Sequence, residues 1–321
     1  YCILFRIFAI LHCLIDNSYF QLMKKYHLLF YLILLNLTVT ANNRTEALLS
    51  ILKSNKPDYI FVVAHRGDWR HAPENSIAAI KSAISIGADM VEIDIQKTKD
   101  GDFVLMHDNS IDRTTNGKGY INNYTVKELK NFKLRYNSGE LSKETIPTLK
   151  EALSACKGKI LVNIDKGENY LSDIEPIIKE AGMENYIILK GRGSVNDVKK
   201  KLSLYKNIIY MPIVDLDTSG AIPYIDSFLK DFQPIAMEIG FKTDDFEQLS
   251  YIDKIAESNC RIWINTLWES LCGRHDDEKA VNDPDNSWGW VLKNKATIIQ
   301  TDRPEELITY LKQKGLRKID W

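Results

Sequence analysis

Eight short apolar or β-branched runs recur along the chain with helical patterns between most of them. They are Tyr59–His65, Met90–Ile95, Ile160–Asp165, Tyr186–Lys190, Ile208–Ile213, Ile235–Ile239, Arg261–Thr266 and Thr297–Thr301. Runs of this length and composition read as strands buried on both faces. The intervening segments repeat apolar residues at three- and four-residue spacing. In Asn75–Ile86 these are Ile77, Ile80, Ala83 and Ile84, with Gly87 at the C-cap. Ile174–Ala181, Val195–Leu204, Phe246–Ser258 and Glu305–Lys314 read the same way. Strands that alternate with helices are parallel strands. Eight such units predict a single (β/α)8 TIM barrel, a fold of roughly 250 residues. The rival is a doubly wound open sheet.

The first forty residues stand apart from this pattern. Lys24 and Lys25 follow Met23, Leu28 to Leu37 is apolar except for Asn36, and Val39-Thr40-Ala41 supplies small residues. This is the layout of a secretory signal over residues 23–41, with residues 1–22 as upstream sequence. The apolar run is short for a span of about 20 residues. Removal of 41 residues leaves 280 of 321 for one domain over 42–321. Three cysteines remain there, Cys156, Cys260 and Cys272. An odd count gives no disulfide framework, although a Cys260–Cys272 bridge stays open. The expectation is an exported protein of a bacterial periplasm, without stable membrane insertion once the signal is gone. The 42 basic and 43 acidic residues nearly cancel, which gives no bulk attraction to nucleic acid or an anionic membrane.

One strand-like run has no helix before it. Phe103–His107 follows Met90–Ile95 after Gln96-Lys97-Thr98-Lys99-Asp100-Gly101. Asp-Gly between two strand runs signals a hairpin, whereas a parallel partner would need a long crossover. The chain therefore leaves strand 2, folds back and returns His107 toward the barrel mouth. Residues 108–145 form a polar insertion behind it.

The chemistry-bearing residues lie at strand ends. His65-Arg66-Gly67 closes the first strand, Glu92 and Asp94 share one face of the second, and Asp165-Lys166 closes the third. In a barrel those ends meet on one rim. Glu92, Asp94 and Asp165 would repel one another there, and an all-oxygen set of carboxylates suits a hard cation, Ca²⁺ or Mg²⁺. His65 and His107 beside it suit acid–base work, with Arg66 holding an anion. Phosphodiester hydrolysis uses all of these services.

Several other patterns carry less. Arg66-Gly67-Asp68 spells an adhesion tripeptide inside the site loop. His275-Asp276-Asp277-Glu278 resembles a ligand run but falls in the polar stretch 268–294, which reads as a solvated lid. Among the tryptophans, Trp69 and Trp263 are expected nearest the rim.

The ordered set His65-Arg66-Gly67, Pro73-Glu74-Asn75-Ser76, Glu92-Ile93-Asp94, Thr98-Lys99-Asp100-Gly101, His107-Asp108, Asp112-Arg113-Thr114-Thr115-Asn116-Gly117 and Thr301-Asp302-Arg303-Pro304 resembles the glycerophosphodiester phosphodiesterase family. The resemblance spans about residues 60–315. It implies a TIM barrel and metal-dependent hydrolysis of a small glycerophosphodiester to sn-glycerol 3-phosphate and an alcohol. It also implies paired histidines at His65 and His107 and metal ligands at Glu92 and Asp94. The family's third ligand is a Glu in a Glu-x-Lys pattern; here Asp165 replaces it and Lys166 follows at once. Lys166 joins Arg66 as a phosphate-binding candidate. Competing expectations are a phospholipase D- or C-like barrel acting on an intact phospholipid, which the polar insertion disfavours, and a non-catalytic phosphate- or sugar-binding barrel. The head group and the oligomeric state are not set by the sequence.

Overall fold

The computed structural model describes residues 24–26, 44–54, 58–205, 207–245 and 247–317. Two compact units result, Tyr1–Arg44 and Thr45–Trp321. In the first, residues 24–26 are helical, and the rest of the signal-peptide reading lies outside the described residues. Among the described residues no helix is long and apolar enough to cross a membrane.

The second unit opens with helix α1 (45–53). It continues through β1 (Phe61–Ala64), α2 (Ile77–Ser85), β2 (Met90–Lys97), β3 (Phe103–Leu105), α3 (Val126–Leu129), β4 (Lys133–Arg135), β5 (Leu141–Thr145), α4 (Leu149–Cys156) and β6 (Leu161–Asp165). Then come α5 (Leu171–Ala181), β7 (Ile187–Gly191), α6 (Val195–Leu202), β8 (Ile209–Asp215), α7 (Ala221–Asp231), β9 (Ala236–Gly240), α8 (Tyr251–Glu257) and β10 (Arg261–Asn265). The last elements are α9 (Asp277–Asn282), α10 (Trp288–Lys293), β11 (Ala296–Thr301) and α11 (Pro304–Gln313).

All eight sequence-predicted runs are barrel strands, in the order β1-β2-β6-β7-β8-β9-β10-β11. Closure separates this fold from the open-sheet rival. β1 pairs in parallel with β11 (Phe61↔Ile298) on one side and with β2 (Val63↔Met90) on the other. β3 runs antiparallel to the end of β2, with Ile95 opposite Leu105. The backbone N–H of Met106 then donates to the carbonyl of Asp94 at 3.1 Å, bringing the next residue, His107, back to the mouth.

Alternation along each strand sorts the side chains. Phe61, Val63, Met90, Leu161, Ile188, Met211, Trp263 and Ile298 point inward and form an apolar plug with Leu48, Leu49 and Leu52 of α1. Truncating a filled position such as Trp263, fully buried, should cost about 3–5 kcal/mol. The outward-facing residues meet the surrounding helices. α2 shows how these are set: Ser76 caps its N-terminus by accepting from the Ala79 N–H, Ala79, Ile80 and Ala83 are buried, and Gly87 adopts φ +88° just past its end. The insertion has its own small core of Val104, Met106, Ile111, Ile121, Leu129, Leu134 and Ile146.

Two sequence readings change here. The stretch after β10 is not a solvated lid. It contains α9 and α10, and Asp277 is fully buried. The reason is long-range pairing: the Asp277 carboxylate accepts from Thr266 Oγ1 (2.7 Å), Thr301 Oγ1 (2.8 Å), Trp288 Nε1 (2.9 Å) and the backbone N–H of Asp302 (2.7 Å). It binds the segment to the ends of β10 and β11. Cys260 and Cys272 are both buried free thiols, so no bridge joins them.

Candidate active site

The polar groups gather at the C-terminal ends of β1, β2 and β6. β2 and β6 run in register, with Glu92 opposite Asn163 and Asp94 opposite Asp165. One carboxylate oxygen from each of Glu92, Asp94 and Asp165 falls within 4.8 Å of the others. Burial pushes the Glu92 carboxyl well above its ordinary range, and repulsion from Asp94 and Asp165 adds to this. The three carboxylates crowd one point, and all their donors are oxygen. These residues fit a hard divalent cation.

The His-Arg-Gly loop is shaped to face this cluster. Arg66 has φ +54° and Gly67 φ +79°. A Cβ at Gly67 would meet Ala79 at 2.7 Å, so only glycine permits the turn to press against α2. The turn aims the Arg66 N–H at Glu92 Oε2 (2.9 Å) and places Arg66 Nε 3.4 Å from Asp94 Oδ2. Asn75 locks Asp94 from the other side: its Nδ2 donates to Asp94 Oδ2 at 2.9 Å, and its Oδ1 accepts from the Asp94 N–H at 3.0 Å. Asp68 of the apparent adhesion tripeptide is buried and accepts from Ser82, so that motif is not displayed.

Both candidate histidines have a carboxylate behind them. His65 Nδ1 lies 2.7 Å from Asp302 Oδ1, and its Nε2 lies 3.9 Å from Glu92 Oε2. Trp69 Nε1 also donates to Asp302 Oδ1, at 2.6 Å. Burial works to raise the Asp302 carboxyl, but His65, Trp69 and Arg70 together hold it below its ordinary value. His107 Nδ1 lies 2.7 Å from Asp108 Oδ1. Arg113 donates to Asp108 and, through both terminal nitrogens, to Glu74, which also accepts from Arg66 at 3.0 Å. The Asp108 carboxyl is depressed chiefly by Arg113, with His107 contributing. These bonds tie the insertion to the β1 loop.

Lys166 reaches the site although it follows Asp165 directly. Its φ of +62° reverses the chain after β6, and Nζ donates to the His107 carbonyl at 2.7 Å while lying 3.9 Å from Asp94 Oδ1. All seven residues singled out from the sequence, His65, Arg66, Glu92, Asp94, His107, Asp165 and Lys166, thus converge on one rim.

The tryptophan expectation is half right. Trp69 is at the rim, but Trp263 is buried in the plug. Trp268 is 49% exposed, with its ring 6.4 Å from that of His65. The sequence reading also passed over Asn75, Asp302 as the partner of His65, and the buried pair Lys190–Glu238. Lys190 had a visible signal: it is a lone charge in an apolar strand run, two residues beyond inward-facing Ile188.

A closed parallel barrel with its acidic and imidazole groups at the strand C-termini defines the chain as a TIM barrel with its candidate site at the end where such barrels build them. Residues 65–209 match the model of the glycerophosphoryl diester phosphodiesterase family, and 210–311 match that of a domain of unknown function. The two matches meet inside β8, so together they describe one barrel. The family match thus covers 145 of the 321 residues, somewhat under half of the chain. The chain is 42% identical over 149 residues to a glycerophosphodiester phosphodiesterase of Caldanaerobacter subterraneus, covering 43% of this chain and 61% of that one. It is 45% identical over 114 residues to glycerophosphodiester phosphodiesterase 1 of Mus musculus, covering 34% and 33%. The matched stretches therefore span about one to two thirds of these relatives. The crystal structure of a glycerophosphoryl diester phosphodiesterase from Parabacteroides distasonis superposes with a TM-score of 0.70 at 25% identity, covering 84% of this chain and 92% of that one.

Proposed function

We propose that this protein hydrolyses small glycerophosphodiesters to sn-glycerol 3-phosphate and an alcohol. The observation that carries the reading is the convergence of His65, His107 and the Glu92–Asp94–Asp165 cluster on one rim. Glu92, Asp94 and Asp165 would hold a divalent cation, Ca²⁺ or Mg²⁺. When bound, the ion supplies Lewis-acid stabilisation of charge on a phosphate oxygen. Arg66 and Lys166 carry the positive charge that orients the phosphodiester. One histidine takes the proton of a water, or of the neighbouring glycerol hydroxyl, as that oxygen bonds to phosphorus. The other donates a proton to the alkoxide leaving as its P–O bond breaks. When the hydroxyl attacks, water then opens the cyclic phosphodiester with the two histidines exchanging roles. Asp302 and Asp108 accept from Nδ1 of each ring, leaving Nε2 for the substrate.

The polar insertion over 108–145 favours a small soluble diester over an intact phospholipid. Export follows from the 23–41 reading, and N-terminal sequencing of the mature protein tests it. The function is tested with a panel of glycerophosphodiesters, following glycerol 3-phosphate release with and without chelator. Release from one or more members, lost with chelator, supports the proposal; an inert panel in the presence of both metals overturns it.

A further inference from the structure

A lysine sits inside the barrel directly beside the acidic cluster. Lys190 is 8% exposed. Its Nζ lies 3.0 Å from Glu238 Oε2 on β9, 3.5 Å from Gln300 Oε1 on β11 and 5.5 Å from the centre of the Trp263 ring. Glu238 Oε1 accepts from Asn265 Nδ2 at 3.0 Å, and Asn265 Oδ1 accepts from Trp263 Nε1 at 2.7 Å. A polar layer thus lies between the apolar plug and the rim.

The register sets the direction of this pair. Ile164 of β6 pairs with Leu189 of β7, so the next residues along, Asp165 and Lys190, are strand neighbours. Adjacent strands lie about 4.8 Å apart. Lys190 and Asp165 therefore share the inward face of neighbouring strands, and Glu238 on β9 holds the ammonium inside the barrel, where it feels the charge of Asp165 and Glu92. Burial disfavours the Lys190 ammonium, but Glu238, Asp165 and Glu92 outweigh it, and the group is held firmly charged. A buried ion pair is by itself a weak source of stability, since apolar residues of equal volume would fill the space at less cost. Its position gives it a different use.

We infer that Lys190 is a built-in counter-charge, which offsets the repulsion among Glu92, Asp94 and Asp165 when no cation is bound and weakens the cluster's hold on a cation. The inference rests on reading that cluster as a metal site. Glu238 keeps the ammonium in place. The same charge that steadies the metal-free barrel then competes with the ion, so the ion exchanges instead of being locked in.

The test uses the full chain, calorimetric titration with Ca²⁺ and Mg²⁺, and thermal unfolding with and without metal. Lys190→Met should bind the cation about tenfold more tightly, because a fixed like charge has gone from a low-dielectric site. Its metal-free Tm should fall, and saturating metal should close most of the gap. An unchanged Kd, or an equal Tm loss with and without metal, overturns the inference. If Lys190→Met does not fold, Lys190→Met/Glu238→Gln removes both charges. Tighter metal binding by the double variant supports the inference, and equal or weaker binding overturns it. Failure of the unsubstituted protein to bind either metal would instead overturn the metal-site reading, and this inference with it.

Discussion

His65 Nδ1 lies 2.7 Å from Asp302 Oδ1, so the last barrel strand orients an imidazole carried by the first. The bond fixes which nitrogen faces Asp302 and leaves Nε2 turned toward Glu92. Asp302→Asn keeps the volume but loses the carboxylate charge and the preference for one tautomer. We expect kcat to fall roughly 10²–10³-fold with KM little changed. Steady-state kinetics on a cleaved glycerophosphodiester checks this; an equal rise in KM with unchanged kcat would assign Asp302 to substrate binding.

His107 is held by Asp108 and lies beside Lys166 without supporting the barrel core. His107→Ala should lower turnover about 10²–10⁴-fold, the usual worth of a positioned acid or base. Substrate binding should survive largely intact, as measured by calorimetry on the inactive variant. Substantial residual hydrolysis would count against the paired-histidine reading.

Chelation should abolish hydrolysis, and added Ca²⁺ or Mg²⁺ should restore it, because three carboxylates with oxygen-only donors hold such ions. Activity indifferent to chelator would remove the metal from the reaction. The relative recovery with each ion, read from initial rates, identifies the better fit.

The metal-free protein should lose stability as pH rises. Glu92 is raised well above 4.5 in the folded state, and Asp277 is raised to about 7 by burial against four opposing hydrogen-bond donors. The native state therefore holds more protons than the unfolded chain above the ordinary carboxyl range. Stability from these groups is complete below that range and is lost as pH climbs through their folded values. Thermal scans in chelator between about pH 5 and 8 should show a falling Tm that flattens in Glu92→Gln. Parallel slopes in the two proteins would show that Glu92 does not drive the effect.

Asp277→Ala strands buried donors at Thr266, Thr301, Trp288 and Asp302. A loss of about 3 kcal/mol or more is expected, since buried polar groups without partners are costly. Denaturant titration measures it. Because the Asp302 N–H is among those donors, kcat should fall in the folded fraction as well.

Much of the site was legible in local sequence because its parts are local. Glu92 and Asp94 share a face by strand alternation, and the Asp100-Gly101 turn that returns His107 is a short-range signal. The Lys166 reversal was not legible. Nothing in Asp165-Lys166-Gly167 announces that the lysine itself takes the positive φ. The segment 268–294 misled because its polarity matches a solvated loop, while its fully buried carboxylate, Asp277, is satisfied by residues 11 to 25 positions away.

The amino-acid sequence by itself determined the eight-strand period, the hairpin after β2 and the identity of the rim residues, because periodicity, turn chemistry and motif spacing act over a few residues. Only the tertiary structure decided what those residues touch. Closing the sheet set Asp302 against His65 across 237 positions, Lys190 against Glu238 inside the barrel, and Trp268 in place of Trp263 at the mouth. Side-chain partners in a barrel are fixed by strand register and closure, which join residues distant in the chain and leave no local mark.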